Sequence, residues 1–256
     1  MHQLPDYPNY PVVPRRRQRV FDAGPFTKGD LWTVIAYLVF FVGGAAALIG
    51  FIPGYMSAFS TQEQALFGIN LILYVTFFIL AMIQCGAQFF ESFKTMRYYP
   101  WAKWLMLPGG WFLTIMVNGI IAALTGQAVT SENQAALESM AGTVPLPVML
   151  VVTALFGPFV EEYLFRHLLI GKLSRKVNVW LCALISTVLF ASIHFIGAGI
   201  GSWLEVVPYF MLGVMMAVAY ILSGKSLAYS YMLHVINNTV ALLVVYLIYP
   251  LLPAGV

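Results

Sequence analysis

Apolar residues in this chain run on for about twenty positions at a time, and the stretches between are short, polar, or marked by Gly and Pro. A helix needs roughly 20 apolar residues to cross about 30 Å of hydrocarbon. Seven runs meet that length: about 31–53, 66–90, 104–126, 146–171, 178–197, 203–222 and 227–250. The pattern predicts an all-α fold, a polytopic transmembrane helical bundle of about seven spans. The range is six to eight, because a re-entrant segment mimics a helix in sequence. Residues 1–30 read as a polar, basic, Pro-rich tail, and 31–256 as a single transmembrane helical domain without internal repeats. The tail does not read as a cleavable signal, because the first apolar run is long enough to span and lacks a short apolar core with a small-residue cleavage site.

Composition agrees with the pattern. Of the 256 residues, 61% are hydrophobic and 9% charged, and the mean hydropathy is +0.84. Soluble domains carry about 25% charged residues. A soluble fold of this composition would expose an apolar surface that soluble monomers rarely show. The lipid bilayer is therefore the expected surrounding. A net charge of +3 is too small to suggest a nucleic-acid partner.

The 13 Lys and Arg residues set the orientation, since cytoplasmic loops are enriched in them. Placing the N-terminus in the cytoplasm puts Arg15, Arg16, Arg17, Arg19 and Lys28 there. Lys94, Arg97, Lys103, Lys172, Arg175, Lys176 and Lys225 then fall in cytoplasmic loops, with Arg166 in the inner half of the fourth span. The outer loops hold Glu63, Glu132 and Glu138 instead. Cys85 and Cys182 lie in apolar runs and suggest neither a disulfide framework nor a metal knuckle.

Ionisable groups deep in a span are costly and mark function or pairing. They collect in the fourth, fifth and seventh spans. The fourth reads Gly157-Pro158-Phe159-Val160-Glu161-Glu162-Tyr163-Leu164-Phe165-Arg166. Adjacent helical residues point about 100° apart, so Glu161 and Glu162 are expected to face different neighbours. Glu162 and Arg166, at i,i+4, can pair. That leaves Glu161 as the functional carboxylate, with Glu162 and Arg166 as its support. Gly157-Pro158 predicts a kink beside it. The fifth span ends at Phe190-x-x-x-His194, and the seventh carries His234-x-x-x-Asn238, an i,i+4 face expected to point into the bundle. Asn70, Gln84, Gln88 and Asn118 suit helix–helix hydrogen bonds, and Glu205 and His167, near span ends, suit structural roles. For straight spans Glu161 lies roughly 15 Å from the inner surface and His194 roughly 24 Å, a mismatch that sequence does not resolve.

These motifs, Glu161-Glu162-x-x-x-Arg166, Phe190-x-x-x-His194 and His234-x-x-x-Asn238, resemble in order the signature of the CPBP intramembrane proteases, also called the Abi or CAAX-protease-like family. The resemblance covers roughly 145–250, the expected protease-like core. It implies an intramembrane endopeptidase acting on a membrane-associated or lipidated protein or peptide. In that role Glu161 activates a water, His194 helps to hold or deprotonate it, and His234 and Asn238 stabilise the oxyanion. The chemistry suits the residue types: a carboxylate can act as general base, and imidazole and amide N–H groups are oxyanion donors.

The family is often described as metalloprotease-like, and Glu161, His194 and His234 would suffice for catalytic zinc or another divalent metal. The H-E-x-x-H helix motif is absent, so the favoured reading needs no cofactor and metal stays an open alternative. Two other classes compete. One is a non-catalytic scaffold or bacteriocin self-immunity factor. The other is a transporter, which internal inverted repeats would favour, and none is evident.

Overall fold

Helix follows helix along the chain. The structure, a computed structural model, describes residues 18–125, 132–196 and 203–251, and no strand occurs among them. Arg15, Arg16 and Arg17 lie outside the described residues, as does the side chain of Asn118. Thr27 starts α1 (Lys28–Val42) with a capping box closed by Asp30. Gly44, at φ 71°, then turns the chain into a 3-10 helix, Ala45–Phe51, bent 57° from α1. Next come α2 (Gln62–Arg97), α3 (Pro100–Thr125), α4 (Glu132–Ala141), α5 (Leu146–Arg175), α6 (Val179–Ile193), α7 (Trp203–Leu222) and α8 (Leu227–Leu251).

Each of the seven apolar runs contains helix among the described residues, but they are not seven equal spans. Among the described residues five helices, α2, α3, α5, α7 and α8, are each long and apolar enough to cross a membrane. The bent pair of α1 and Ala45–Phe51 makes a sixth if counted as one. Its break follows from Gly43-Gly44, where a left-handed backbone is free of a Cβ penalty. With 15 residues, α6 extends only about 22 Å and falls short of the hydrocarbon thickness. The polar helix α4 fills a connection that the hydropathy pattern left blank.

The fourth run lies at the centre. Two-thirds of the most apolar window of α5 is buried (67%), against 33% or less in the other four long helices. Its second half packs on α6 and α8, and α6 packs on α7. Phe77 and Phe89 of α2, Phe159 and Tyr163 of α5, Met216 of α7 and Leu233 of α8 share one core. Winding alternates within α5: Leu146–Met149 and Gly157–Glu161 are α-helical, Leu150–Phe156 and Glu162–Lys172 π-helical, and Leu173–Arg175 3-10. Pro158 has no N–H to give to the ladder, so the winding changes beside it.

The end that carries the α5–α6 and α7–α8 turns is tied by polar contacts. Thr95 Oγ1 donates to Ser223 O (2.7 Å), Ser226 Oγ to Ser92 O (2.8 Å), and buried Lys103 Nζ to Thr95 O (2.7 Å). Residues before α1 lie across the same turns, with Phe21 N–H donating to Gly224 O (2.8 Å). Gly224 has φ +81° and is pressed by the Arg19 carbonyl, so it has no room for a side chain. Around the outside, Trp32, Trp101, Trp104 and Trp180 are exposed at the starts of α1, α3 and α6, as an interfacial aromatic belt requires. An all-α, integral membrane bundle accounts for these features together.

Candidate active site

Both carboxylates of α5 meet one histidine. His234 of α8 lies with Nδ1 3.0 Å from Glu162 Oε1 and Nε2 3.5 Å from Glu161 Oε2. In the tautomer protonated on Nδ1, that N–H donates to Glu162 and Nε2 faces Glu161. The sequence reading set the two acids towards different neighbours; the structure gives them opposite nitrogens of the same ring. The winding change explains this, since Glu161 closes the α stretch and Glu162 opens the π stretch. Successive π-helical residues diverge less than α-helical ones because each turn holds more residues. Glu162 is fully buried and Glu161 keeps 8% exposure, so of the pair only Glu161 is open to an incoming group.

Arg166 supports Glu162 from below. Its Nη1 lies 3.5 Å from Glu162 Oε1, its Nη2 donates to Gly213 O of α7 at 3.2 Å, and its guanidinium sits 4.4 Å over the Phe190 ring. None of this side chain reaches solvent. Guanidinium tolerates such a place because it is weakly hydrated and stacks on aromatic faces.

Phe190 of α6 is the hub that connects the remaining residues. Its ring lies edge-on to Phe165 (5.6 Å), to His234 (5.7 Å) and to His194 (5.0 Å). The Phe165–Phe190 contact sets the register of the α5–α6 hairpin. Four residues before Phe165 on α5 is Glu161, and four after Phe190 on α6 is His194. Because the helices run antiparallel, these two come to similar depth, and the mismatch expected for straight, separate spans disappears. His194 stacks on Tyr209 of α7 (4.2 Å, 28°), with Nδ1 2.9 Å from Phe190 O. Its Nδ1–H donates to that carbonyl and leaves Nε2 as the outward nitrogen.

Asn238 has a partner that its place in the motif did not suggest. Its Nδ2 donates to Thr153 O of α5 at 2.9 Å, and Asn237 Nδ2 donates to Asn238 Oδ1 at 3.2 Å. In π winding the N–H of residue 158 would serve Thr153 O, just as Gly157 N–H serves Val152 O. Residue 158 is proline, so the side chain of Asn238 supplies the missing donor. One amide N–H of Asn238 stays available beyond that bond.

With this geometry in view, the comparisons with known proteins bear on the same segment. Residues 143–240 match the family described as Rce1-like, Type II CAAX prenyl endopeptidase Rce1-like. That stretch contains all three motifs. Relatives agree with it: "Putative membrane peptidase YdiL" of Bacillus subtilis is 34% identical over 89 residues, 33% of this chain and 36% of that protein. "Membrane-embedded CAAX protease MroQ" of Staphylococcus aureus is 26% identical over 130 residues, 48% of this chain and 49% of that one. The match thus spans about a third of the first relative's length and about half of the second's. No solved structure matches the chain.

Within the matched segment, the donor set that a metal would need is not assembled. Among the described residues no three His, Cys, Asp or Glu side chains converge as a metal site. Of Glu161, His194 and His234, only Glu161 and His234 meet, two donors where a catalytic zinc takes three from the protein. Among the described residues the third protein ligand of a catalytic metal is therefore missing.

Sequence reasoning missed the contacts of Tyr209, Asp30, Lys172 and His167. Tyr209 carries the His194 stack, and nothing marks it among the aromatics of its span. Asp30 and Lys172 form a buried ion pair at 2.6 Å, although Lys172 was counted with the loop residues. Their separation of 142 positions leaves no local signal. His167, placed by sequence at a span edge, is 2% exposed and stacks on Tyr163.

Proposed function

We propose that the chain is an intramembrane endopeptidase that cleaves a peptide bond of a membrane-associated or lipidated protein or peptide. The observation that carries this reading is the Glu162–His234–Glu161 relay, buried in an apolar bundle and braced by Arg166. Glu161, the more open acid, takes a proton from a water whose oxygen forms a bond to the substrate carbonyl carbon. His194 Nε2, at similar depth, holds that water. The carbonyl oxygen gains negative charge and is stabilised by the second N–H of Asn238 and by His234, whose Nε2 donates only when the ring is protonated on both nitrogens. As the C–N bond breaks, the proton on Glu161 passes to the leaving amine. Glu162 keeps His234 oriented through Nδ1 and takes no part in bond making.

A single transmembrane domain with its protease-like core at about 145–250 houses this site. Among the described residues Lys28, Lys94, Arg97, Arg175, Lys176 and Lys225 collect at the end bearing the α5–α6 and α7–α8 turns. By the enrichment of basic residues on the inner side, that end, and with it the N-terminus, lies in the cytoplasm. Substrate then approaches from the cytoplasm or the inner leaflet.

Purified protein in liposomes, offered fluorogenic peptides with and without a lipid chain, tests the reading. Glu161→Gln and His194→Phe are expected to abolish cleavage, and a chelator to leave it intact. Cleavage that survives both substitutions would refute it. A substitution that removes cleavage while a partner-binding or immunity function persists would separate catalysis from scaffolding.

A further inference from the structure

Asp30, at the start of α1, is among the most completely satisfied carboxylates in the described residues. Its Oδ2 accepts from Thr27 N–H (2.7 Å), Thr27 Oγ1–H (3.0 Å) and Lys172 Nζ (2.6 Å), and its Oδ1 accepts from Tyr163 O–H (2.7 Å). All three main partners are nearly sealed, with Asp30 and Tyr163 at 0% and Lys172 at 4% exposure. The reason one small side chain reaches both Tyr163 and Lys172 is the winding of α5. At 3.6 residues per turn, positions nine apart lie about half a turn from each other and face opposite ways. At about 4.4 residues per turn, set by i→i+5 bonding, nine residues make close to two whole turns and face the same way. Tyr163 and Lys172 bracket the π segment Glu162–Lys172, so a single carboxylate touching both is compatible with π winding and incompatible with α winding.

We propose that Asp30 is a positioning residue that holds α5 in π winding and thereby sets Glu161 and Glu162 on opposite nitrogens of His234. This rests on the hydrolytic reading for its catalytic consequence, though not for its structural one. Tyr163 directly follows Glu162, so a return of this segment to α winding re-aims Glu162 relative to His234, while its i,i+4 pairing with Arg166 is compatible with either winding. π segments are rare and are found frequently at functional sites; here the contacts that span one come from a different helix. The same contacts join α1 to the bundle, which places the first helix in the catalytic architecture rather than at its edge.

Hydrogen exchange read by mass spectrometry on the full chain in detergent tests this without any substrate. Tyr163→Phe removes one hydroxyl and keeps the ring, and Asp30→Asn keeps the shape of the carboxylate and removes its charge. Both are expected to speed exchange across 162–172 about tenfold while α7 and α8 keep their protection. Lys172→Arg should stay near wild type and Lys172→Met should follow Asp30→Asn. In cleavage assays the same variants should lose about 10–100-fold in kcat with little change in KM, the scale of a displacement near 1 Å. Wild-type exchange rates over 162–172 in both Tyr163→Phe and Asp30→Asn would overturn the proposal. So would an equal rise in every helix, which marks general destabilisation, or an unchanged kcat in an active enzyme. A wild-type chain that cleaves nothing defeats the hydrolytic reading instead, and exchange alone then decides the clamp.

Discussion

Replacing Arg166 with Met removes the charge opposite Glu162 while keeping most of the side chain's volume against Phe190. Three contacts go: the 3.5 Å ion pair, the bond to Gly213 O at 3.2 Å and the cation on the Phe190 face at 4.4 Å. Because both members of the pair are fully buried, water cannot reach the stranded carboxylate. Breaking a buried pair by removing one partner typically costs about 3–5 kcal/mol, and loss of a desolvated cation–π contact adds roughly 1–2 kcal/mol. His234 Nδ1 still offers Glu162 a donor, so the expected loss is about 4 kcal/mol, near three orders of magnitude in the unfolding equilibrium. Glu162→Gln alone should cost about 2–3 kcal/mol, because it strands Arg166. The double variant removes both charges and should cost no more than Arg166→Met alone, giving a coupling of about 2–3 kcal/mol. Reversible unfolding in mixed micelles, for wild type, both singles and the double, measures the cycle. Additive single effects would refute the reasoning, as would an Arg166→Met protein as stable as wild type.

Other outcomes follow from particular contacts. Asn238→Ala should cost about 1–2 kcal/mol by stranding Thr153 O. Pro158→Ala, which restores a backbone N–H five residues on, should recover part of that stability in the double variant, and thermal unfolding of the set decides it. Gly171→Ala should cost about 1–3 kcal/mol, since a Cβ there would lie 2.6 Å from Tyr220 Oη and 2.8 Å from Ala23 Cβ. Small-residue substitutions at the open Gly109, by contrast, should leave midpoints unchanged. Outside the spans, the Gly24 N–H and then Arg175 hold the Asp22 carboxyl below its ordinary value. A lowered folded pKa means that the contribution is present at neutral pH and is lost as pH falls through the ordinary carboxylate range towards that lowered value. With both partners largely exposed, Asp22→Asn should change stability by less than about 1 kcal/mol at pH 7 and by nothing measurable in acid.

Membrane insertion, helical class and the six motif residues were legible in the sequence for simple reasons. Hydropathy is additive along a chain, so apolar runs of spanning length can be read position by position. A charged or strongly polar group in such a run has few stable options, so Glu161, Glu162, Arg166, His194, His234 and Asn238 stand out against their neighbours. The i,i+4 pairing of Glu162 with Arg166 is likewise a local property of a helix. Local reading also failed at identifiable points. Gly43-Gly44 broke the first run, and α6 ended at Ile193, because span length depends on backbone turns and caps that hydropathy does not record.

What only the tertiary structure decided depends on contacts between distant segments and on winding. That Glu161 and Glu162 share one histidine follows from π geometry, which adjacent residue names do not encode. That His194 reaches the depth of Glu161 follows from the hairpin register set by Phe165 and Phe190. The donor for Thr153 O comes from Asn238, 85 positions away, and the partner of Lys172 from Asp30, 142 positions away. Sequence therefore determined which residues must be satisfied inside the bilayer. The fold determined by whom, because in an apolar medium each buried polar group is stable only beside a specific partner.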